Sequence, residues 1–119
     1  MITERRKYIR LDTGIKFSYK PKDGNAAPKN SVTKNISPGG ISGMVDKSVK
    51  KGDRLELAIE VPNLKKPLPA IGKVIWTADE KAGKIDVGIK FEEIDMEMKN
   101  KFLEHICELM FSQLERIKV

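Results

Sequence analysis

RLELAIEV, residues 54–61, is the stretch whose reading decides the fold. Leu55, Leu57, Ile59 and Val61 alternate with polar or small residues, the period-two pattern of a strand with one buried face. The same pattern recurs on both sides of it. Upstream lie GIKFSYK (14–20), SVTKNIS (31–37) and ISGMV (41–45). These are separated by the Pro/Gly/Asn-rich PKDGNAAPKN (21–30), by PGG (38–40) and by the turn signal KKGD (50–53). Downstream, PNLKKPLP (62–69) leads into AIGKVIWTA (70–78), and a short connection, DEKAGK (79–84), into IDVGIKF (85–91). Short strands at this spacing with no helices between them predict a closed or nearly closed six-stranded antiparallel β-barrel.

The period changes after Asp95. Met98, Phe102, Ile106, Leu109 and Met110 recur at three- and four-residue steps, so a C-terminal helix is expected over 95–117, with Asp95 as its N-cap. The fold class is mainly β, and a chain of 119 residues is expected to be one domain: barrel over 13–93, then the helix. The apolar arc of the helix is broad. Phe102, Leu103, Ile106, Met110, Leu114 and Ile117 share a face, and Leu109 and Phe111 widen it beyond what closing a small barrel requires. The surplus around Leu109, Phe111 and Leu114 is expected to meet a second copy or a partner protein, or to lie beneath loops or the N-terminal segment.

Composition narrows the function. Hydrophobic content of 39% with 34% charged residues reads as a soluble globular chain, and no run approaches the roughly 20 apolar residues of a membrane span. Lack of an apolar run behind the N-terminal charges, with a single cysteine, Cys107, points to the cytoplasm. The net charge of +6 favours an anionic partner, although much of the lysine is scattered, as on an ordinary solvated surface. Catalysis is not expected. The one histidine, His105, and Cys107 are two apart on a helix and do not face each other, so neither a metal pair nor a nucleophile–base pair results. No phosphate-cradling GxxxxGK[ST] or GxGxxG spacing occurs.

Two short stretches remain. ERRKYIR (4–10) holds Arg5, Arg6 and Arg10, three of the five arginines among 23 basic residues. Arginine grips phosphate or a guanine edge with a planar fork where lysine offers a point charge. The segment reads either as a disordered basic tail or as a segment docked on the barrel through Tyr8, Ile9 and Leu11, which would hold the arginines in place. NISPGG (35–40) sets Asn35 and Ser37 on one side of a strand end, with Gly39 and Gly40 after them. It reads either as a polar face for a purine or phosphate that approaches bare backbone, or as a plain turn that its own side chains tie together. Trp76, the one tryptophan, falls in the core if the alternation of GKVIW continues, and is free to stack on a base if it lies at the rim.

Arg6-Lys7-Tyr8-Ile9-Arg10 is an RxxxR motif and Asn35-Ile36-Ser37-Pro38-Gly39-Gly40 fits [D/N]xSxxG. In that order, with the KxGDxLxLxIxVP, GKVIW and VGIKF strands and a closing helix, the whole chain resembles the PilZ domain family. That resemblance implies a split β-barrel and a receptor for the second messenger cyclic di-GMP that relays it to a partner protein. It assigns Arg6 and Arg10, on an N-terminal segment (1–12) that wraps the ligand, to phosphates and guanine edges. Asn35 and Ser37 would bond a guanine edge, Gly40 with Gly39 would permit close approach, and Arg5 would reach a second ligand molecule. Trp76 is a further candidate contact, with neither metal nor cofactor implied. Asn35 stands where many members carry Asp, which makes that acceptor neutral. The rival readings are a small basic barrel for single-stranded nucleic acid, for which exposed stacking aromatics are scarce, and a protein-only adaptor.

Overall fold

A computed structural model of the chain describes residues 11–12 and 14–117, with side chains described for 14–112. Seven strands and one helix follow in order: β1 (Leu11–Asp12), β2 (Lys16–Pro21), β3 (Lys29–Ser37), β4 (Gly40–Asp46), β5 (Arg54–Ile59), β6 (Leu68–Lys81), β7 (Lys84–Ile94) and α1 (Met96–Ile117). All pairings are antiparallel. The sheet runs β3-β2-β5-β6-β7-β4 and returns to β3, a closed six-strand barrel. The two-residue β1 adds beside β3 through Leu11↔Ile36 and Asp12↔Asn35.

β3 is the shared strand of the ring. Its first half, Lys29 to Val32, pairs with β2, and its second half, Thr33 to Ser37, pairs with β4. Between β1 and β2 the gap is bridged at Thr33, whose hydroxyl accepts from the Ile15 amide at 2.9 Å and whose amide donates to the Ile15 carbonyl at 2.9 Å.

Alternation holds along most strands. Phe17 and Tyr19, Leu55, Leu57 and Ile59, and Val87 and Ile89 all point inward and are essentially buried. Tyr19 buries its ring and keeps its hydroxyl satisfied by the Asp46 amide at 2.8 Å. The last hairpin is longer than DEKAGK suggested. β6 and β7 continue to Lys81↔Lys84 around a two-residue turn, Ala82–Gly83, with both residues at positive φ, the backbone that matches the twist of the flanking strands.

α1 begins as expected: the Met98 amide donates to Asp95 Oδ1 at 3.0 Å and the Lys99 amide to the Asp95 carbonyl at 2.8 Å. Phe102 and Ile106 plug the barrel at 0% and 3% exposure, and Phe102 meets Phe91 edge-on with ring centroids 5.8 Å apart. Asn63 in the β5–β6 loop ties to the helix by donating to the Lys101 carbonyl at 2.9 Å. Leu109 and Met110 pack partly against the core. Leu109 therefore does not belong to an unused surface, because one turn beyond Ile106 the helix still lies against the core. Phe111 stands out at 69% exposed. The side chains of Leu114 and Ile117 lie outside the described residues.

Two outcomes follow from this packing. Phe102→Ala leaves a cavity where the helix plugs the barrel and should cost about 3–5 kcal/mol in urea unfolding. The second concerns Asp46, which accepts from Lys29 Nζ at 2.9 Å and from the Ser48 amide at 2.9 Å. The Lys29 hydrogen bond, then the Ser48 bonds, hold its carboxyl well below the ordinary value of 3.8. A depressed folded-state value adds stability above the unfolded value and loses it as pH falls. Asp46→Asn should thus destabilise at neutral pH, and its deficit relative to wild type should shrink below pH about 4.

Candidate functional site

Two β-bulges build one outer face. In β3 the register with β4 shifts between Thr33 and Asn35, so that Lys34 is an extra residue. Thr33 points inward at 4% exposed, and uninterrupted alternation would send Asn35 inward as well. The bulge turns Ile36 into the core, at 1% exposed, and Asn35 and Ser37 outward. In β6 the register with β7 shifts between Val74 and Trp76, with Ile75 as the extra residue. Val74 is fully buried, and alternation alone would bury Trp76 two residues later. Instead the bulge sends Trp76 to the outside, where it is half-buried, so the core reading of Trp76 is corrected to an outer-face position. Re-aiming a side chain is what such an inserted residue does.

The two re-aimed residues lie in one transverse row. Asn35 pairs with Ser42, Ser42 with Gly88, and Gly88 with Trp76. At about 4.8 Å per strand this row spans roughly 14 Å. Gly88 is the seat of the indole: a Cβ there would run into Trp76 Nε1, Cε2 and Cδ1. A glycine inside a strand marks such a close approach, so VGIKF carried a signal for this contact. Ser42, buried between Asn35 and Gly88, carried none.

NISPGG resolves into separate roles. The Asn35 side chain makes no hydrogen bond to any described residue, so it is not spent on the turn. The Ser37 hydroxyl reaches the Gly40 carbonyl at 3.4 Å, a long and weak contact. Gly40 answers to packing, because a Cβ there would meet the Ile89 carbonyl of β7. The Gly39 carbonyl accepts from the Phe91 amide at 2.9 Å. The glycine pair thus lets β4 close on β7 whether or not a ligand approaches it.

Arg5, Arg6 and Arg10 lie outside the described residues. Leu11, covalently next to Arg10, pairs with Ile36 between Asn35 and Ser37. The arginine segment thus precedes, in sequence, the strand that lies beside NIS. On another flank Lys34 and Asp86 form an ion pair at 3.2 Å. Two grooves, of about 630 and 530 Å³, lie on the other wall around Ser18 and Ala58 and include neither Asn35, Ser37 nor Trp76. Among the described residues no three His, Cys, Asp or Glu side chains gather as a metal site would need, and no helix is long and apolar enough to cross a membrane. His105 is half-exposed and Cys107 exposed on α1.

Residues 4–108 match the family model of the PilZ domain. Among solved structures the chain is similar to the inhibitor of motility MotI/DgrA of Bacillus subtilis, with 22% identity and a TM-score of 0.72 over 95% of this chain and 53% of that one. It is similar to Escherichia coli YcgR in complex with c-di-GMP, with 14% identity and a TM-score of 0.73 over 97% of this chain and 50% of that one. The PilZ domain of YcgR with c-di-GMP aligns at 15% identity and a TM-score of 0.69, over 97% of this chain and 98% of that one. The chain thus spans about half the length of the first two, and at these identities the likeness is one of fold. A search of curated proteins returned no match.

Gly88→Ala tests the geometry of the face. The new methyl group should displace the indole, shift Trp76 emission and cost about 1–3 kcal/mol. Unchanged emission would mean that Trp76 does not rest on Gly88.

Proposed function

Because the chain belongs to the PilZ domain family, we propose that it is a receptor that binds cyclic di-GMP on the outer barrel face and relays it to a partner protein. The observation that carries this reading is that two bulges turn Asn35 and Trp76 onto one face, opposite ends of a single row, with β1, which begins at Leu11, pairing beside Asn35. That YcgR and its isolated PilZ domain are described with c-di-GMP supports the choice of ligand.

Roles follow from the chemistry of each group. Arg6 and Arg10 take phosphate oxygens and the O6/N7 edge of guanine through paired hydrogen bonds. Asn35, with its side chain uncommitted, offers both a donor and an acceptor to a guanine edge, and Ser37 exchanges its long turn contact for a ligand bond. Trp76 supplies a ring on which guanine stacks. Gly39 and Gly40 keep the backbone bare beneath the ligand. Arg5 extends the fork set to a second, stacked ligand molecule, so the expected stoichiometry is two per chain. This is binding without catalysis, in the cytoplasm, with no metal or cofactor.

Relay runs through α1 in this reading. The helix passes beside β1, the strand that follows the arginine segment, and Phe111 is exposed on it. Closure of the segment over the ligand changes the neighbourhood of α1, whose exposed apolar side chains then meet a second copy or a partner protein. Single-stranded nucleic acid is the weaker reading, because Phe17 and Phe102 are fully enclosed and unable to stack on bases.

Calorimetry tests the assignment. Cyclic di-GMP should bind, and Arg6→Ala or Arg10→Ala should each weaken it tenfold or more without lowering thermal stability, since a charge-assisted bond is worth about 1.5–3 kcal/mol. Two molecules should bind per chain, one in Arg5→Leu, and Trp76 fluorescence should change on saturation. Binding of a single-stranded oligonucleotide in place of cyclic di-GMP would overturn the reading. Light scattering with and without ligand reads the homodimer directly.

A further inference from the structure

Lys73 on β6 and Lys90 on β7 stand directly opposite each other in the ladder. Both point outward, since their flanking residues Val74 and Ile89 are buried, and both are exposed. Cross-strand partners bring their Cβ atoms to about 5 Å, where like charges repel. Neither lysine has a counter-ion among the described residues. Glu92, two residues beyond Lys90, is taken by Arg54 at 3.0 Å, and Arg54 is itself the cross-strand partner of Lys73. Of these three cations in successive strands, only Arg54 has a carboxylate partner among the described residues. The other wall of the barrel follows the opposite rule, with Lys20 facing Glu56 and paired to it at 2.9 Å.

The location is as telling as the charge. The row Lys73–Lys90 continues through Gly40 to Ser37. It is the row next to Asn35–Ser42–Gly88–Trp76, and Lys90 follows Gly88 by two residues on the same face, a step of about 7 Å. The repelling pair thus borders the seat of Trp76 on one side and Ser37 on the other. An uncompensated pair of ammonium groups beside an aromatic platform suits a nucleotide, with the base on the ring and the phosphate on the cations.

We infer that Lys73 and Lys90 are a phosphate anchor carried by the barrel itself, which takes the phosphodiester oxygens of the cyclic dinucleotide whose guanine lies over Trp76. The inference rests on the functional reading above and adds two binding residues to it. It also gives the pair opposite effects in the two states. In the free protein the lysines repel, and in the complex the phosphate neutralises them, so removing their charge relieves the free barrel and weakens the complex.

That opposition is the test. Lys73→Gln, Lys90→Gln and the double variant are compared with wild type and with Lys65→Gln, an exposed lysine of the β5–β6 loop, by calorimetry with cyclic di-GMP at low and high salt and by thermal melting without ligand. Each single change should weaken binding about three- to tenfold and the double change more, with a shallower salt dependence, while melting temperatures stay equal to or above wild type. Lys65→Gln should bind as wild type does. Wild-type binding with undiminished affinity in the double variant overturns the anchor and leaves the receptor reading standing. Weaker binding accompanied by a lowered melting temperature also overturns it, since that marks a structural role. Failure of wild type itself to bind overturns the receptor reading and the anchor together.

Discussion

The ring closes only where the second half of β3, Thr33 to Ser37, meets Gly40 to Gly43 of β4, and everything on the outer face depends on that short seam. In a closed barrel every strand pairs on both of its edges, and β3 does so over different parts of its length. Here β3 spends its first four residues on β2 and its last five on β4, with the Lys34 bulge where it changes over. The bulge accommodates the bend, and the same bend points Asn35 and Ser37 outward. Closure on the far side of β4 is as tight: Gly40 lies against the Ile89 carbonyl, and any Cβ would hold the strands apart. The NISPGG stretch is therefore a closure device first, and its exposed polar groups are a product of the way it closes.

A second insertion, Ile75 in β6, works with the first. Neither bulge alone makes a site. Together they place an uncommitted amide and an indole at opposite ends of one four-strand row, over two residues with little or no side chain, Ser42 and Gly88. A flat floor with a ring at one end and hydrogen-bonding groups at the other suits a planar heterocycle. The adjoining row carries the cations Lys73 and Lys90, so ring and cations are separated by one step along the strands.

The helix links this face to the rest of the molecule. Phe102 and Ile106 are part of the barrel core, so α1 cannot drift without opening the barrel. Its exposed residues, Met96 and Phe111 among them, are held by a rigid plug while β1 runs beside it. Under the proposed function, the strand that follows the ligand-holding segment and the partner-facing helix are neighbours by construction of the fold.

Strand number, strand positions and the capped helix were legible in the sequence, because burial of one face imposes period two on RLELAIEV and its counterparts and a period near 3.6 on the helix. The motif pair RxxxR and NISPGG was legible too, since both are local. Ends of elements were less so: the β6–β7 hairpin runs on past an irregularity at Asp79–Glu80 to Lys81↔Lys84 and a two-residue turn, because exposed polar residues such as Lys81 and Lys84 pair as readily as apolar ones. What the sequence by itself determined is which residues are apolar, which are forks and glycines, and hence a six-strand barrel with a helix. Which side of the wall Trp76 and Asn35 occupy, and that Lys73 and Lys90, 17 residues apart in the chain, face each other, was decided only by the tertiary structure. The physical reason is register: one inserted residue reverses every side chain beyond it, and cross-strand partners are set by ladder pairing, which leaves no mark in the local pattern.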